Sequence, residues 1–326
     1  MILIIFMSSR ARTSDRRRAT TSRRRGAMAA AVLAAAALAV SGCGGEEAQD
    51  GDGPVEVVAT FSILGDVARA VGGGAISLTT LVGPDGDAHV FEPTPKDGVA
   101  VAEADLVLEN GLGFEVWLDD LFASSGADAV RVVATEGITP TTLVEDGEEE
   151  ADPHVWQDVG NVSVIAGRVR DALVEADPRN ADTYRENADA YLAELADLDA
   201  YVREQVARIP AGGRKLVTNH DAFGYFAKAY GFEVVGTALP ASTEAADASA
   251  GRIAELVDRI EATGVRAVFS ENIESSKLLE RVAEASGVVV APPLYSDALG
   301  PEGTAGATYV GMMRANVDAV VEALAG

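Results

Sequence analysis

The stretch from Asp177 to about Ala207 constrains the fold most. Asp177-Pro178 reads as a helix N-cap with proline at the first helical position. Tyr184, Ala188, Tyr191, Leu195, Leu198 and Val202 recur at spacings of three and four, and Pro210-Ala211-Gly212-Gly213 stops the pattern. At 1.5 Å per residue such a helix is roughly 45 Å long. One small domain has no need of that length. The stretch therefore predicts a rigid rod joining two lobes, with a long surface helix of a single lobe as the alternative.

Strand-like and helix-like segments alternate on both sides of the rod. Before it, strands are expected over 55–63, 77–82, 104–108 and 129–134, and helices over 65–71, 95–104, 115–123 and 161–175. After it, strands are expected over 215–218, 232–237, 267–270 and 288–291, and helices over 222–230, 248–263, 275–286 and 308–324. This β–α order predicts an α/β fold, a parallel sheet in each lobe with helices on its faces. A length of 326 residues fits two domains. The expected organisation is a leader over 1–43, a flexible tether over 44–54, an N-terminal lobe over 55–176, the linking helix over 177–208 and a C-terminal lobe over 209–326.

The start of the chain reads as an export signal. Arg16-Arg17-Arg18 and Arg23-Arg24-Arg25 form a basic region, and Ala27 to Val40 is a 14-residue apolar run, short for a membrane span. Val40-Ser41-Gly42-Cys43 then has the form of a bacterial lipoprotein cleavage box around the only cysteine, so Cys43 is the expected lipidation site. Ser22 with the following arginines weakly suggests twin-arginine export. A single cysteine excludes an intramolecular disulfide.

Charge narrows the partners. Eight of the 26 basic residues and one of the 51 acidic ones precede Met28, which leaves a net charge of −32 from Cys43 onward. A chain so acidic has no basic face for nucleic acid, and it concentrates cations near its surface. The acidic run Glu145 to Asp152 is expected to be a solvated loop, with weak cation capture as its alternative role.

The chain holds three histidines. His89 follows a strand and the turn Gly83 to Asp87, His154 stands in Asp152-Pro153-His154-Val155-Trp156, and His220 follows the strand ending at Thr218. His220, and Asp297 further on, lie beyond the carboxyl ends of predicted strands, where open α/β sheets bind ligands. Neutral imidazole suits borderline ions such as zinc, and its second N–H needs an oriented partner, for which Asn219, Asp221, Asp152, Asp158 and Glu92 are candidates. Glu271, after another strand, is read as a structural hydrogen-bonding residue with a partner role to a ligand as the alternative. Trp117 and Trp156 are read as packing residues. There is no HExxH or CxxC pair, and the residues stand 65 to 77 positions apart. Spacing alone does not separate a shared site from separately hydrogen-bonded histidines.

Several ordered segments go further. His89-Val90-Phe91-Glu92-Pro93-Thr94-Pro95, Asn110 to Leu118 (NGLGFEVWL), Asp152 to Trp156, the His220 region and Pro292-Pro293-Leu294-Tyr295-Ser296-Asp297 together resemble the metal-binding lipoproteins that serve ABC importers of zinc and manganese, the cluster A-I (cluster 9) substrate-binding proteins. The resemblance covers about Val55 to Leu324. It implies two α/β lobes joined by one long helix, with a metal in the cleft. His89 and His154 match the first-lobe ligands, and His220 and Asp297 the second-lobe ligands. It implies Zn2+ as cargo with Mn2+ as the alternative, since three imidazoles and one carboxylate suit zinc better than the oxygen-rich octahedron of manganese. It also implies a monomer held to the membrane by its lipid anchor, an ABC permease and its ATPase as partners, and no catalysis. Two features depart from the pattern. The loop before His154 carries no histidines, which weakens the preference for zinc, and Asp158 is followed by Val159 where proline is usual. The rival readings are a secreted zinc hydrolase, which needs an open coordination position and a general base, and a surface adhesin with a structural metal. A rod between the lobes limits hinge closure, so release is expected through local motion in the second lobe.

Overall fold

The computed structural model describes residues 53–145, 148–239 and 250–325. The leader, Cys43 and most of the tether lie outside the described residues. The chain opens on β1 (Val55–Phe61), α1 (Ser62–Gly72), β2 (Ile76–Val82), α2 (Pro95–Glu103), β3 (Leu106–Glu109), α3 (Leu118–Ser125) and β4 (Val130–Val133). The four strands form one wholly parallel sheet in the order β2-β1-β3-β4. Parallel strands covered on both faces need apolar residues on both sides. In β1, accordingly, Val55, Val57, Val58, Ala59 and Phe61 are all buried. Helix α2 starts where the sequence marks it, with Pro95 in its first turn and the Asp97 carboxylate accepting the Thr94 N–H at 2.7 Å.

Next come β5 (Thr142–Glu145), β6 (Glu148–Ala151), α4 (Val159–Ala176) and α5 (Ala181–Val206). The acidic stretch expected as a solvated loop is a hairpin: β5 and β6 pair antiparallel, with Thr142 opposite Ala151 and Leu143 opposite Glu150. Leu143 is buried while Glu149 and Glu150 face solvent, so the ladder forms although half of it is glutamate.

Helix α5 is the expected rod. Asp177 caps a single 3-10 turn over Pro178–Asn180, and the α-helix proper runs for 26 residues, about 39 Å. The predicted stripe, Tyr184, Ala188, Tyr191, Leu195, Leu198 and Val202, is buried and Val206 extends it. It packs on α1 and α4 before it, and on two helices that follow it in sequence.

The second alternation comprises β7 (Lys215–Thr218), α6 (Gly224–Tyr230), β8 (Glu233–Thr237), α7 (Ala250–Thr263), β9 (Ala267–Glu271), α8 (Lys277–Ser286), β10 (Val289–Leu294) and α9 (Tyr309–Leu324). Its strands form a second parallel sheet, β10-β9-β7-β8. The two faces of this sheet do different things. Leu216, Ala267 and Phe269 point into a large core shared with the first sheet, α5 and α9. Their neighbours Val217 and Val268 point to the opposite face, into a smaller core made with α7 and α8 through Leu256, Ile260, Leu279 and Val282. The molecule is thus two parallel sheets flanked by helices and spanned by one long helix. The carboxyl ends of β2, β7 and β10 lead to the residues described next.

Candidate metal centre

His89 follows β2 through a turn in which Asp85 adopts φ +54°. Its backbone N–H donates to Asp87 Oδ1 at 2.8 Å, and the indole of Trp117 donates to Ala88 O at 2.8 Å, which fixes the turn from below. The Phe114 ring meets the His89 ring edge-on at 4.8 Å.

His154 follows the hairpin. Asp152 folds back on it, with Oδ1 accepting the His154 N–H at 3.0 Å and lying 2.8 Å from Nδ1. Asn110 Nδ2 donates to Pro153 O at 3.0 Å, so the loop after β3 braces the same turn. That loop is strained: Gly111, Leu112 and Gly113 all have positive φ, of 82°, 57° and 78°. Glu115 holds it, accepting from Thr60 Oγ1 at 2.6 Å, Asn110 N at 2.7 Å and Gly111 N at 3.1 Å. Burial nevertheless dominates and pushes the Glu115 carboxyl up to about 7, against the three donors that lower it.

His220 lies just past β7. Glu271, at the end of β9, accepts its backbone N–H at 2.9 Å through Oε1 and reaches Nδ1 at 2.5 Å through Oε2. Glu271 is therefore an orienting partner of His220 rather than a merely structural residue. Asp297 comes from the loop after β10, where Ser296 O accepts from Trp156 Nε1 at 2.7 Å and Gln157 Nε2 at 2.9 Å.

The four side chains converge. One donor atom from each of His89, His154, His220 and Asp297 lies within 4.8 Å of the others. His89 Nε2 is 3.3 Å from His154 Nε2, and Asp297 Oδ2 is 3.0, 3.3 and 3.7 Å from the Nε2 atoms of His220, His89 and His154. Donors held at about 2.0–2.1 Å around a tetrahedral ion are about 3.3 Å apart, so the spacing fits a shared ion. His89 is 7% exposed and the other three are 0%. With Nδ1 of His154 and His220 turned to carboxylates, their Nε2 atoms face the centre as donors. Asp297 Oδ1 is buried with no hydrogen-bond partner and is available as a second oxygen donor. Among the described residues no other such group of three or more donors converges.

Electrostatics supports the same chemistry. Burial pulls the His154 imidazole down, but Asp297 and Asp152 outweigh it and raise it to about 9. Burial likewise opposes His220, and Glu271 and Asp297 raise it well above the usual imidazole range. Asp297, in spite of burial, is held well below the usual carboxylate range by His220 and His154. In the metal-free cluster, protons on imidazoles balance the carboxylates. A divalent cation can take over that charge balance and bring the donors to itself.

Of the other partners named from sequence, Asp152 is confirmed in contact with His154. Asn219 binds the Glu271 N–H instead of an imidazole, at 3.1 Å, and Asp158 caps α4 through Gly160 N at 2.8 Å. Glu92 is exposed, and Asp221 lines a neighbouring cavity. Both tryptophans pack, Trp156 fully buried against Phe61 and Phe114. The segment Asn110 to Leu118 carries no role that its sequence alone reveals. Its role is the Glu115-braced turn, and the Gly-Leu-Gly triplet was the available signal.

Two α/β halves around a closed, buried set of three imidazoles and a carboxylate define a metal-binding solute receptor. The chain belongs to the family described as zinc-uptake complex component A, periplasmic, whose model matches residues 57–323. It is 38% identical over 291 residues to the manganese-binding lipoprotein MntA of Halalkalibacterium halodurans, covering 88% of this chain and 95% of that one. It is 35% identical over 268 residues to the iron-binding protein YfeA of Yersinia pestis, covering 82% and 85%. The solved structure of the periplasmic zinc-binding protein TroA from Treponema pallidum superposes with a TM-score of 0.79 at 36% identity, covering 84% of this chain and all of that one. No helix among the described residues is long and apolar enough to cross a membrane.

Proposed function

We propose that this chain is the extracytoplasmic receptor of a metal ABC importer, capturing Zn2+, or Mn2+ as the alternative, and handing it to the permease. The observation that carries the reading is the convergence of His89, His154, His220 and Asp297 on one buried point. The relatives' names span manganese, iron and zinc, so the donor set has to decide the cargo. Three imidazole nitrogens favour zinc over the harder manganese ion. In this reading Cys43 carries the lipid anchor at the start of the mature chain, the leader before it within 1–43 is removed, 44–54 tether the receptor, and 55–176 and 209–326 act as lobes about the helix 177–208. The receptor works as a monomer and catalyses no reaction. Asp152 and Glu271, the carboxylates nearest the imidazoles, are both engaged by Nδ1 atoms, which leaves neither as the general base a zinc hydrolase needs.

The test is elemental analysis of the soluble form beginning after Cys43, followed by competition titration with Zn2+ and Mn2+. The expected result is one equivalent of tightly held zinc, lost on His154→Ala. Tight manganese with weak zinc overturns the cargo but keeps the receptor. No stoichiometric metal overturns the receptor reading.

A further inference from the structure

Asp297 and His220 both follow the long helix in sequence, yet they are tied to different parts of the molecule. The Asp297 loop is clamped to residues that precede α5. Ser296 O accepts from Trp156 and Gln157. Leu299 N donates to Ser62 Oγ and Leu299 O accepts from Asp85 N, each at 2.9 Å. Tyr309, which opens α9, donates its N–H to Asp66 Oδ2 at 2.8 Å and its hydroxyl to Trp156 O at 2.7 Å. The side-chain bonds of this clamp are all buried. Within its own sheet the pairing of β10 with β9 is irregular between Ala291 and Leu294, where Pro292 and Pro293 supply no N–H, and it resumes only at Leu294 opposite Glu271.

His220 belongs elsewhere. Besides the Glu271 contacts, its carbonyl accepts from Thr218 Oγ1 at 2.8 Å and Ala222 N at 3.1 Å. These are carboxyl-end groups of the second sheet. The side-chain bonds between the two assemblies gather on Asn272, which is next to Glu271 and whose backbone N–H also donates to Leu294 O at 2.9 Å. Asn272 Nδ2 donates to Asp85 Oδ1 at 2.8 Å and to Ala298 O at 3.2 Å, and its Oδ1 accepts from Ser296 N at 3.2 Å. These bonds are exposed or half-buried, so water can replace them when they part, whereas the buried clamp has no such substitute.

We infer that the four donors part as three and one: Asp297 stays with His89 and His154, His220 withdraws with Glu271, and Asn272 is the positioning residue that latches the two groups together. This rests on the receptor reading and is narrower than the expected local motion in the second lobe, which does not say whether Asp297 moves with His220.

The test is chelator-triggered Zn2+ dissociation from the wild type, Asn272→Ala and Asp85→Gly, read by stopped flow, with the melting temperature of each metal-free protein. Glycine suits the positive φ at position 85, so that variant removes only the carboxylate and keeps the backbone bond to Leu299. The expected result is dissociation about tenfold faster in both variants with an unchanged metal-free melting temperature. Where Asn272→Ala also lowers the melting temperature, Asp85→Gly decides. Wild-type dissociation rates in Asp85→Gly overturn the latch. Crystal structures with and without zinc give the second arm: the Cα separations among His89, His154 and Asp297 are expected to hold while His220 moves, and an Asp297 that moves with His220 overturns the partition. A wild type that binds one zinc while the variants release it at the wild-type rate sinks the latch alone. A wild type that binds none sinks the receptor reading and the latch with it.

Discussion

At the residue scale, the site is built from pairs. Each of His154 and His220 has a carboxylate at Nδ1, Asp152 and Glu271 respectively, which fixes the tautomer that offers Nε2 to the centre. Replacing Glu271 by Gln keeps the shape and one acceptor but removes the charge that supports His220. Zinc affinity is expected to fall about 10- to 100-fold, and a competition titration showing wild-type affinity for Glu271→Gln would remove Glu271 from the site. The histidines were legible because there are only three and each stands in a distinctive setting. Asp152 was legible because it lies two residues from its partner. Glu271 was legible only as an alternative, with no partner named, because its meeting with His220 across 51 positions depends on β7 and β9 being neighbours in the sheet.

At the element scale, periodicity carried the reading. The β7 boundaries were read without error, and the α5 stripe was read nearly in full, because an apolar repeat of 3.6 or a short β-branched run is a strong local signal. The errors fall where local signal and tertiary role diverge. The first strand was read through to Ile63, but α1 begins at Ser62; Ile63 and Leu64 are buried helical residues, and a short apolar run looks alike in either state. The hairpin was missed because Glu148, Glu149 and Glu150 are poor strand formers. The signals for it were Thr142-Leu143-Val144 and the Asp-Gly pair at 146–147. The Glu115-braced turn is likewise an element without periodicity. Glu115→Gln sets an amide N–H2 against backbone donors that a carboxylate satisfies, and is expected to destabilise the metal-free protein by about 1–3 kcal/mol. Urea unfolding measures it; an unchanged midpoint would mean that the protonated carboxyl, favoured by burial, already behaves like the amide.

At the scale of the whole molecule, protons and metal compete for one buried charge balance. An imidazole whose folded value stands above its unfolded value of about 6.5 contributes stability that is complete below that pH and lost as the pH rises through the folded value. For His154, raised to about 9, the window is therefore pH 6.5 to 9, and the loss across it is about 3 kcal/mol. His220 shifts in the same direction and adds to the fall. Asp297 is depressed, so its contribution is lost only in acid, below the ordinary carboxylate range, and leaves this window untouched. The metal-free protein should consequently melt at progressively lower temperature from pH 6.5 to 9. The metal-bound protein should not follow, since ligation already requires neutral imidazoles. Binding near pH 7 then expels protons, and affinity should rise about tenfold per pH unit for each proton expelled, until the imidazoles are neutral. The thermal shift produced by a fixed excess of zinc should thus widen with pH across this range. Differential scanning calorimetry of both forms measures it, and parallel curves for the metal-free and metal-bound protein would show that the imidazoles are already neutral before the ion arrives, leaving burial rather than Asp297 and Asp152 in control of His154.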